Sequence, residues 1–316
     1  MKIVFLDALT LGADIDLSGF KKFGELQIYE TTPVEKVAER VSDCDVVVTN
    51  KMKLGEYNLS SAENLKLICV TATGFDNIDI EYAKQRGIGV CNVVGYSTNS
   101  VAQLTVTCAL SLYNSLFSYC EYVSSGEYTK SGVANVLTPV YHEIEGKTWG
   151  IVGFGNIGQR VGRIAESLGC RLLVNKRTRI DGYECVDIDE LCERSDIITI
   201  HTPLNEKTRA LIDENRINKM KDGVVIVNMA RGAVTDERAI ADAVKRGKIG
   251  GFASDVYSAE PFPKGHPFDE IKGRKNVCLT PHMAWGAYEA RVRLCDEVML
   301  NIESYLSGNK RNRVDL

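Results

Sequence analysis

The 316-residue sequence has no hydrophobic run long enough to cross a membrane, no block of like charge, no CxxC pair, no internal repeat and no low-complexity segment. Each absence excludes a class of protein. A membrane span needs roughly 18 consecutive apolar residues, and the opening run Ile3–Leu6 ends at Asp7, too short even for a signal-peptide core. Charges nearly cancel, with 38 Lys plus Arg against 42 Asp plus Glu for a net −4, which argues against nucleic acid as the main partner. The ten scattered cysteines read as reduced, mostly buried small hydrophobes rather than a disulfide framework or a metal site. These readings predict a cytoplasmic, non-membrane protein.

What is present is ordinary globular composition, 44% hydrophobic and 25% charged, over a length that favours two domains. Short β-branched runs alternate with helical patterns. Strands are predicted at Lys2–Leu6, Gln27–Tyr29, Asp45–Thr49, Leu65–Thr71 and Gly89–Val93, with helices at Val34–Val41 and Asp79–Arg86. One long helix, Ser97–Val123, follows and ends near Ser124-Ser125-Gly126, with a polar loop at Lys130–Glu145. The alternation then restarts with strands at Thr148–Val152, Arg171–Asn175, Asp196–His201, Val224–Asn228, Gly251–Val256 and Val277–Leu279, a helix at Asn156–Leu168, and a terminal helix at Ala287–Leu306. Apolar strands interleaved with amphipathic helices imply parallel sheets covered on both faces.

The strongest local signal is Gly153–Gly158, GFGNIG, directly after a strand and opening a helix with the apolar stripe Ile157, Val161, Ile164, Ala165 and Leu168. Gly153 permits the tight turn, Gly155 lets backbone approach a pyrophosphate, and Gly158 allows close helix–strand contact, with free N–H groups and the helix dipole meeting the phosphate charge. The plainer alternative is a glycine-rich turn. About 20 residues on, an NAD-selecting fold offers Asp or Glu to the ribose. Here Asn175 stands at that position, followed by Lys176, Arg177 and Arg179. This predicts NADP(H) over NAD(H), against the alternative of solvated surface cations.

Four histidines, His142, His201, His266 and His282, make the search for a proton donor short. His142 and His266 fall in polar loop segments with no partner motif. His201 and His282 fall at strand ends, the edge where α/β sheets bind ligands. Arg231 and Glu260 reach the same edge from neighbouring strands. Taken singly, the three have plain readings as a helix-entry cation, a Glu-Pro turn and a loop histidine. Together they suit carbonyl reduction: arginine binds a carboxylate and polarises the carbonyl, histidine donates a proton, and a carboxylate beside the histidine raises its pKa and orients it.

The segments Ala72–Asp79, Gly95–Gln103, Gly153–Gly158, His201–Thr208, Asn228–Glu237, Ala253–Pro261 and Thr280–Trp285 resemble, in the same order, the D-isomer-specific 2-hydroxyacid dehydrogenases, and most closely their glycerate dehydrogenase or hydroxypyruvate reductase branch. The resemblance implies Arg231, Glu260 and His282 as the catalytic residues and Asp255 near the nicotinamide carboxamide. It implies cofactor contacts from Asn156, Ile157, His201, Thr202, Pro203, Met229 and Ala230, and a substrate carboxylate held by the backbone at Thr73 and Gly74. It further implies an α/β fold of two doubly wound parallel-sheet domains. By the same resemblance, a flavodoxin-like substrate domain, 1–97 and 287–316, is expected to receive a Rossmann NAD(P)-binding domain, 98–286, as an insertion, with substrate in a closing cleft and the chain as a homodimer.

Substrate identity rests on less. Lys51 suits a small polar acid such as hydroxypyruvate or glyoxylate but reads equally as an exposed lysine, and Trp285 walls a pocket or fills an interface. Bulkier 2-oxo acids stay open. So does a cofactor-sensing binding protein of the kind represented by the family's corepressors. Glu260 stands where the related formate dehydrogenases carry glutamine, and with about ten residues after the last helix no C-terminal regulatory domain like that of the longer phosphoglycerate dehydrogenases is expected.

Overall fold

The computed structural model describes all 316 residues. The chain forms two compact units, Met1–Ser97 with Gly286–Leu316, and Thr98–Trp285. In the first, strands β1 (Lys2–Phe5), β2 (Glu25–Ile28), β3 (Val46–Thr49), β4 (Leu67–Val70) and β5 (Gly89–Cys91) pair in parallel in the order β2-β1-β3-β4-β5. β3 and β4 are buried along their whole length. Val-, Ile- and Leu-rich runs of this kind form where helices cover both faces of a parallel sheet. The helix Tyr288–Leu306 belongs to this unit and buries Leu294, Val298 and Ile302 against it.

The second unit holds β6 (Thr148–Val152), β7 (Arg171–Asn175), β8 (Ile197–Ile200), β9 (Val224–Asn228), β10 (Ile249–Ser254) and β11 (Val277–Leu279), all parallel, in the order β11-β10-β9-β8-β6-β7. Beyond β7 the chain at Glu184–Val186 runs parallel to Val174 in a one-residue bridge, a rudimentary outer strand. Alternate residues of one strand feed opposite cores: Ile226 joins one cluster with Ile198, Phe252 and Ile240, whereas Val225 and Val227 join the other with Trp149, Ile151 and Val161. The strand order reverses at β6 and β8, and such a switch point opens a crevice at the strands' carboxyl ends.

Several boundaries differ from the sequence expectation. The single helix expected over Ser97–Val123 is two, Thr98–Tyr113 and Leu116–Ser124, because Ser115 adopts φ +51 and interrupts the hydrogen-bond ladder. The segment expected as a helix over Val34–Val41 starts as a 3-10 turn, Val34–Lys36. A short helix, Glu127–Ser131, enters what reads as loop. β10 runs Ile249–Ser254, two residues ahead of the expected Gly251–Val256. All ten cysteines are free thiols, and no helix is long and apolar enough to cross a membrane.

Candidate active site

The register pairs Asn228 of β9 with Ser254 of β10 and Ser254 with Leu279 of β11, so three neighbouring strands end level, roughly 4.8 Å apart. The loops that leave these ends carry Arg231, Glu260 and His282.

Each loop is anchored by a buried polar side chain. Fully buried Asn228 accepts the Ala230 N–H through Oδ1 at 3.0 Å and donates through Nδ2 to the Arg231 carbonyl at 3.0 Å, clamping the turn from both ends. The half-buried Arg231 guanidinium donates to the Ala230 carbonyl at 2.8 Å and forms no ion pair within the chain. A guanidinium carries five N–H donors, so most of the fork is free for an anion. Gly232 is forced by contact: a Cβ there would lie 2.1 Å from the Tyr257 carbonyl carbon and 2.3 Å from the Ser258 nitrogen.

Asp255, 1% exposed, accepts the Thr280 hydroxyl at 2.6 Å and the Met283 N–H at 2.8 Å through Oδ1, and the Ala284 N–H at 2.8 Å through Oδ2. Its carboxylate thus fixes the loop around His282, a task the sequence reading did not assign it. That loop holds His282 at φ +53, a left-handed conformation that costs a non-glycine residue about 1–3 kcal/mol and persists where surrounding bonds enforce it. His282 Nδ1 and Glu260 Oε2 are 2.5 Å apart, and Glu260 Oε1 accepts the Tyr257 N–H at 3.0 Å. With Nδ1–H directed at the carboxylate, Nε2 is the nitrogen left to exchange a proton with a ligand.

The glycine turn lies at the other half of the same sheet. Gly153 has φ +89, and a Cβ on it would lie 2.8 Å from backbone atoms of His201 and Thr202; a Cβ on Gly158 would meet the Gly153 carbonyl oxygen at 2.2 Å. Gly155 precedes the twelve-residue helix Asn156–Ser167 and faces open space, so a ligand can reach the backbone at a helix N-terminus. Asn156 is exposed and Ile157 half-buried on the first turn. Neither ring nitrogen of His201 reaches solvent or a hydrogen-bond partner, and burial lowers its pKa to about 3. The open backbone at Gly155, at the start of a helix, fits a phosphate-bearing ligand seated there.

Asn175 donates through Nδ2 to the Val186 carbonyl at 3.1 Å, while Lys176, Arg177 and Arg179 are exposed and form no ion pair within the chain. Thr202 is half-buried and Pro203 exposed at the end of β8; Met229 is buried and Ala230 half-buried at the end of β9. Trp285 packs against the core cluster that includes Ala284 and Trp149.

The remaining substrate candidates belong to the first unit. Lys51 follows β3 with its side chain exposed, in a turn whose Asn50 and Lys51 amides donate to the buried Asp7 carboxylate at 2.9 and 2.7 Å. After β4, the Thr73 hydroxyl donates to the Val93 carbonyl at 2.8 Å and its carbonyl accepts from Asn92 at 2.7 Å. The amides of Thr73 and Gly74 donate to no acceptor of the chain. One sequence reading is corrected: His266, taken as a loop histidine without a partner, is buried and its Nε2 lies 3.0 Å from Glu237 Oε2. Glu237, Asn228 and Thr280 went unread; a polar residue closing a strand of buried valines and isoleucines was the available signal for Asn228.

Comparison with known proteins follows the same lines. The family model for the NAD binding domain of D-isomer specific 2-hydroxyacid dehydrogenases matches residues 106–284. The chain is 35% identical to a hydroxypyruvate reductase of Blautia hydrogenotrophica over 100% of both chains. It is 34% identical to a glycerate dehydrogenase of Methylorubrum extorquens over 99% of each. Among solved structures, D-lactate dehydrogenase of Aquifex aeolicus complexed with NAD and lactic acid superposes with a TM-score of 0.86 at 28% identity, covering 99% of each chain.

Proposed function

The chain belongs to the D-isomer specific 2-hydroxyacid dehydrogenase family, and from that premise we propose that it reduces the C2 carbonyl of a small 2-oxo acid, hydroxypyruvate or glyoxylate, to the D-2-hydroxy acid, with NADPH preferred to NADH. The observation that carries this reading is the 2.5 Å contact between His282 and Glu260, held on a left-handed residue at the strand ends that also carry Arg231.

A nicotinamide cofactor, when bound, supplies the hydride. His282 donates the Nε2 proton to the carbonyl oxygen, and Glu260 fixes the ring and balances the imidazolium charge from the opposite side. Arg231 pairs its planar fork with the substrate carboxylate and polarises the adjacent carbonyl. In the first unit, the unbonded amides of Thr73 and Gly74 are assigned to carboxylate binding, and exposed Lys51 to attraction of the anionic substrate. Trp285 is assigned to the substrate side of the second unit.

The backbone from Gly153 to Gly158, with Asn156 and Ile157, would hold the pyrophosphate, and His201, Thr202, Pro203, Met229, Ala230 and Asp255 would flank the rest of the cofactor. No carboxylate stands at Asn175 to repel a 2′-phosphate, and Lys176, Arg177 and Arg179 are unpaired cations beside it. The helices Leu116–Ser124 and Glu127–Ser131 bury no residue and, with the segment after them, expose Leu116, Val123, Leu137, Val140 and Tyr141. This apolar surface supports a homodimer, and ten free thiols fit the reducing cytoplasm.

The test is a panel of 2-oxo acids assayed with both cofactors. Hydroxypyruvate or glyoxylate should give the highest kcat/KM, with NADPH above NADH. Binding of NADPH without turnover of any panel member would overturn the reading, and a clear preference for NADH would overturn its cofactor half.

A further inference from the structure

We propose that Glu237 is a positioning residue for the Glu260–His282 pair, acting through the Tyr257–Ser258 peptide; the proposal rests on the reduction chemistry above. Glu237 opens the helix Glu237–Lys245, outside the three loops that carry the reacting side chains. Its side chain is 10% exposed and accepts three hydrogen bonds: the Ser258 N–H at 2.8 Å on Oε1, and the Ser258 hydroxyl at 2.5 Å and His266 Nε2 at 3.0 Å on Oε2. His266 Nδ1 accepts the Phe268 N–H at 3.2 Å. That nitrogen carries a lone pair, so Nε2 carries the hydrogen and donates to Glu237. Rings of Phe262 and Phe268 stand 4.8 and 5.0 Å from the imidazole and enclose it.

The peptide so pinned is where the three loops meet. Gly232, next to Arg231, presses on it so closely that no Cβ fits. Tyr257 sends its hydroxyl to the Thr280 carbonyl at 2.8 Å, two residues before His282, and its N–H to Glu260 Oε1 at 3.0 Å. A shift of this peptide moves Tyr257, and through the Tyr257 N–H and hydroxyl it moves the Glu260 carboxylate and the supports of Arg231 and His282 with it. A carboxylate suits the task because three donors converge on two oxygens with no donor of their own. In Glu237→Gln one oxygen becomes an NH2 group, which must face the Ser258 N–H or the His266 Nε2–H and push one of them away.

Kinetics and NMR of the full-length protein test this together. The Nδ1 proton of His282, bonded to a carboxylate, should give a far-downfield proton line, identified by its loss in Glu260→Gln. In Glu237→Gln that line should move upfield or broaden, and kcat for hydroxypyruvate should fall about 10–100-fold, the range found when groups that orient functional ligands are removed. KM for NADPH should stay within about twofold, because the glycine turn is untouched. His266→Gln, which keeps a donor near the Nε2 position, should retain more activity than His266→Ala. Ser258→Ala, an exposed change that threatens no core contact, should lower kcat a few-fold at unchanged Tm. An unmoved proton line with wild-type kcat in folded Glu237→Gln, or wild-type kcat in both Ser258→Ala and His266→Ala, would overturn the proposal. Failure of the underlying reading looks different: the wild-type line is present and responds to Glu237→Gln, yet no 2-oxo acid is reduced.

Discussion

The two halves of the second sheet's carboxyl edge are built on opposite plans. At β6–β7, groups are left open to a ligand: Gly155 faces open space, and Lys176, Arg177 and Arg179 form no ion pairs. At β9–β11, the supporting polar groups are bonded within the protein: Asn228, Asp255, Glu237 and Glu260 all hold backbone amides or side chains of the loops, leaving the Arg231 fork and His282 Nε2 for a ligand. The difference matches the division of labour proposed for the two halves. Binding a large polar cofactor needs donors and acceptors that the chain does not itself use, whereas proton transfer needs one side chain held within about 0.5 Å and 10–20° of its productive geometry.

The largest expected effect breaks the β9–β11 half alone. His282→Ala should lower kcat/KM for hydroxypyruvate by about 10²–10⁴-fold, the worth of a positioned general acid, while NADPH affinity measured by fluorescence titration stays unchanged; loss of cofactor affinity would mean the halves are not separable. Arg231→Lys comes next, at about 10²–10³-fold, since a point charge cannot reproduce a planar two-pronged contact. A variant with wild-type turnover would remove Arg231 from its role.

On the β6–β7 side the effects are smaller and fall on cofactor choice. Asn175→Asp should lower NADPH preference over NADH about tenfold, which is about 1.4 kcal/mol of added repulsion, with kcat nearly constant. A fall in kcat as large as the rise in KM for NADPH would place Asn175 elsewhere. The last effect is on stability rather than on rate, and falls at the end of β8. Folded His201 takes up a proton only near pH 3 whereas the unfolded chain does so near 6.5, so between those limits the unfolded state binds more protons. Stability contributed by keeping this ring neutral is therefore lost as pH falls below about 6.5, by up to about 1.4 kcal/mol per pH unit. Urea denaturation of wild type and His201→Gln at pH 7 and pH 5 should show the variant losing less; parallel losses would mean the ring is solvated.

Much of the fold was legible because parallel strands buried on both faces must read as apolar β-branched runs. β6, β7, β9 and β11 carry the bounds the sequence suggests. The break at Ser115 was not, because no glycine or proline marks it and the apolar pattern runs on into Leu116 and Phe117. Within the site, the residues proposed to meet a ligand were read from motif and position. The contacts that hold them were missed, because the partners are remote in sequence: Glu237 with His266, and Asp255, read only as a cofactor neighbour, with Met283 and Ala284. Such pairs become visible only when strands β9, β10 and β11 stand side by side.

The most direct measurement of the central claim is kcat for hydroxypyruvate reduction at saturating NADPH in wild type and Glu260→Gln, the variant that keeps the shape of the His282 partner and removes its charge. The account predicts steady turnover by the wild type and a loss of about 10–100-fold in the variant with unchanged cofactor binding. Equal rates, or no reduction by the wild type, would contradict it.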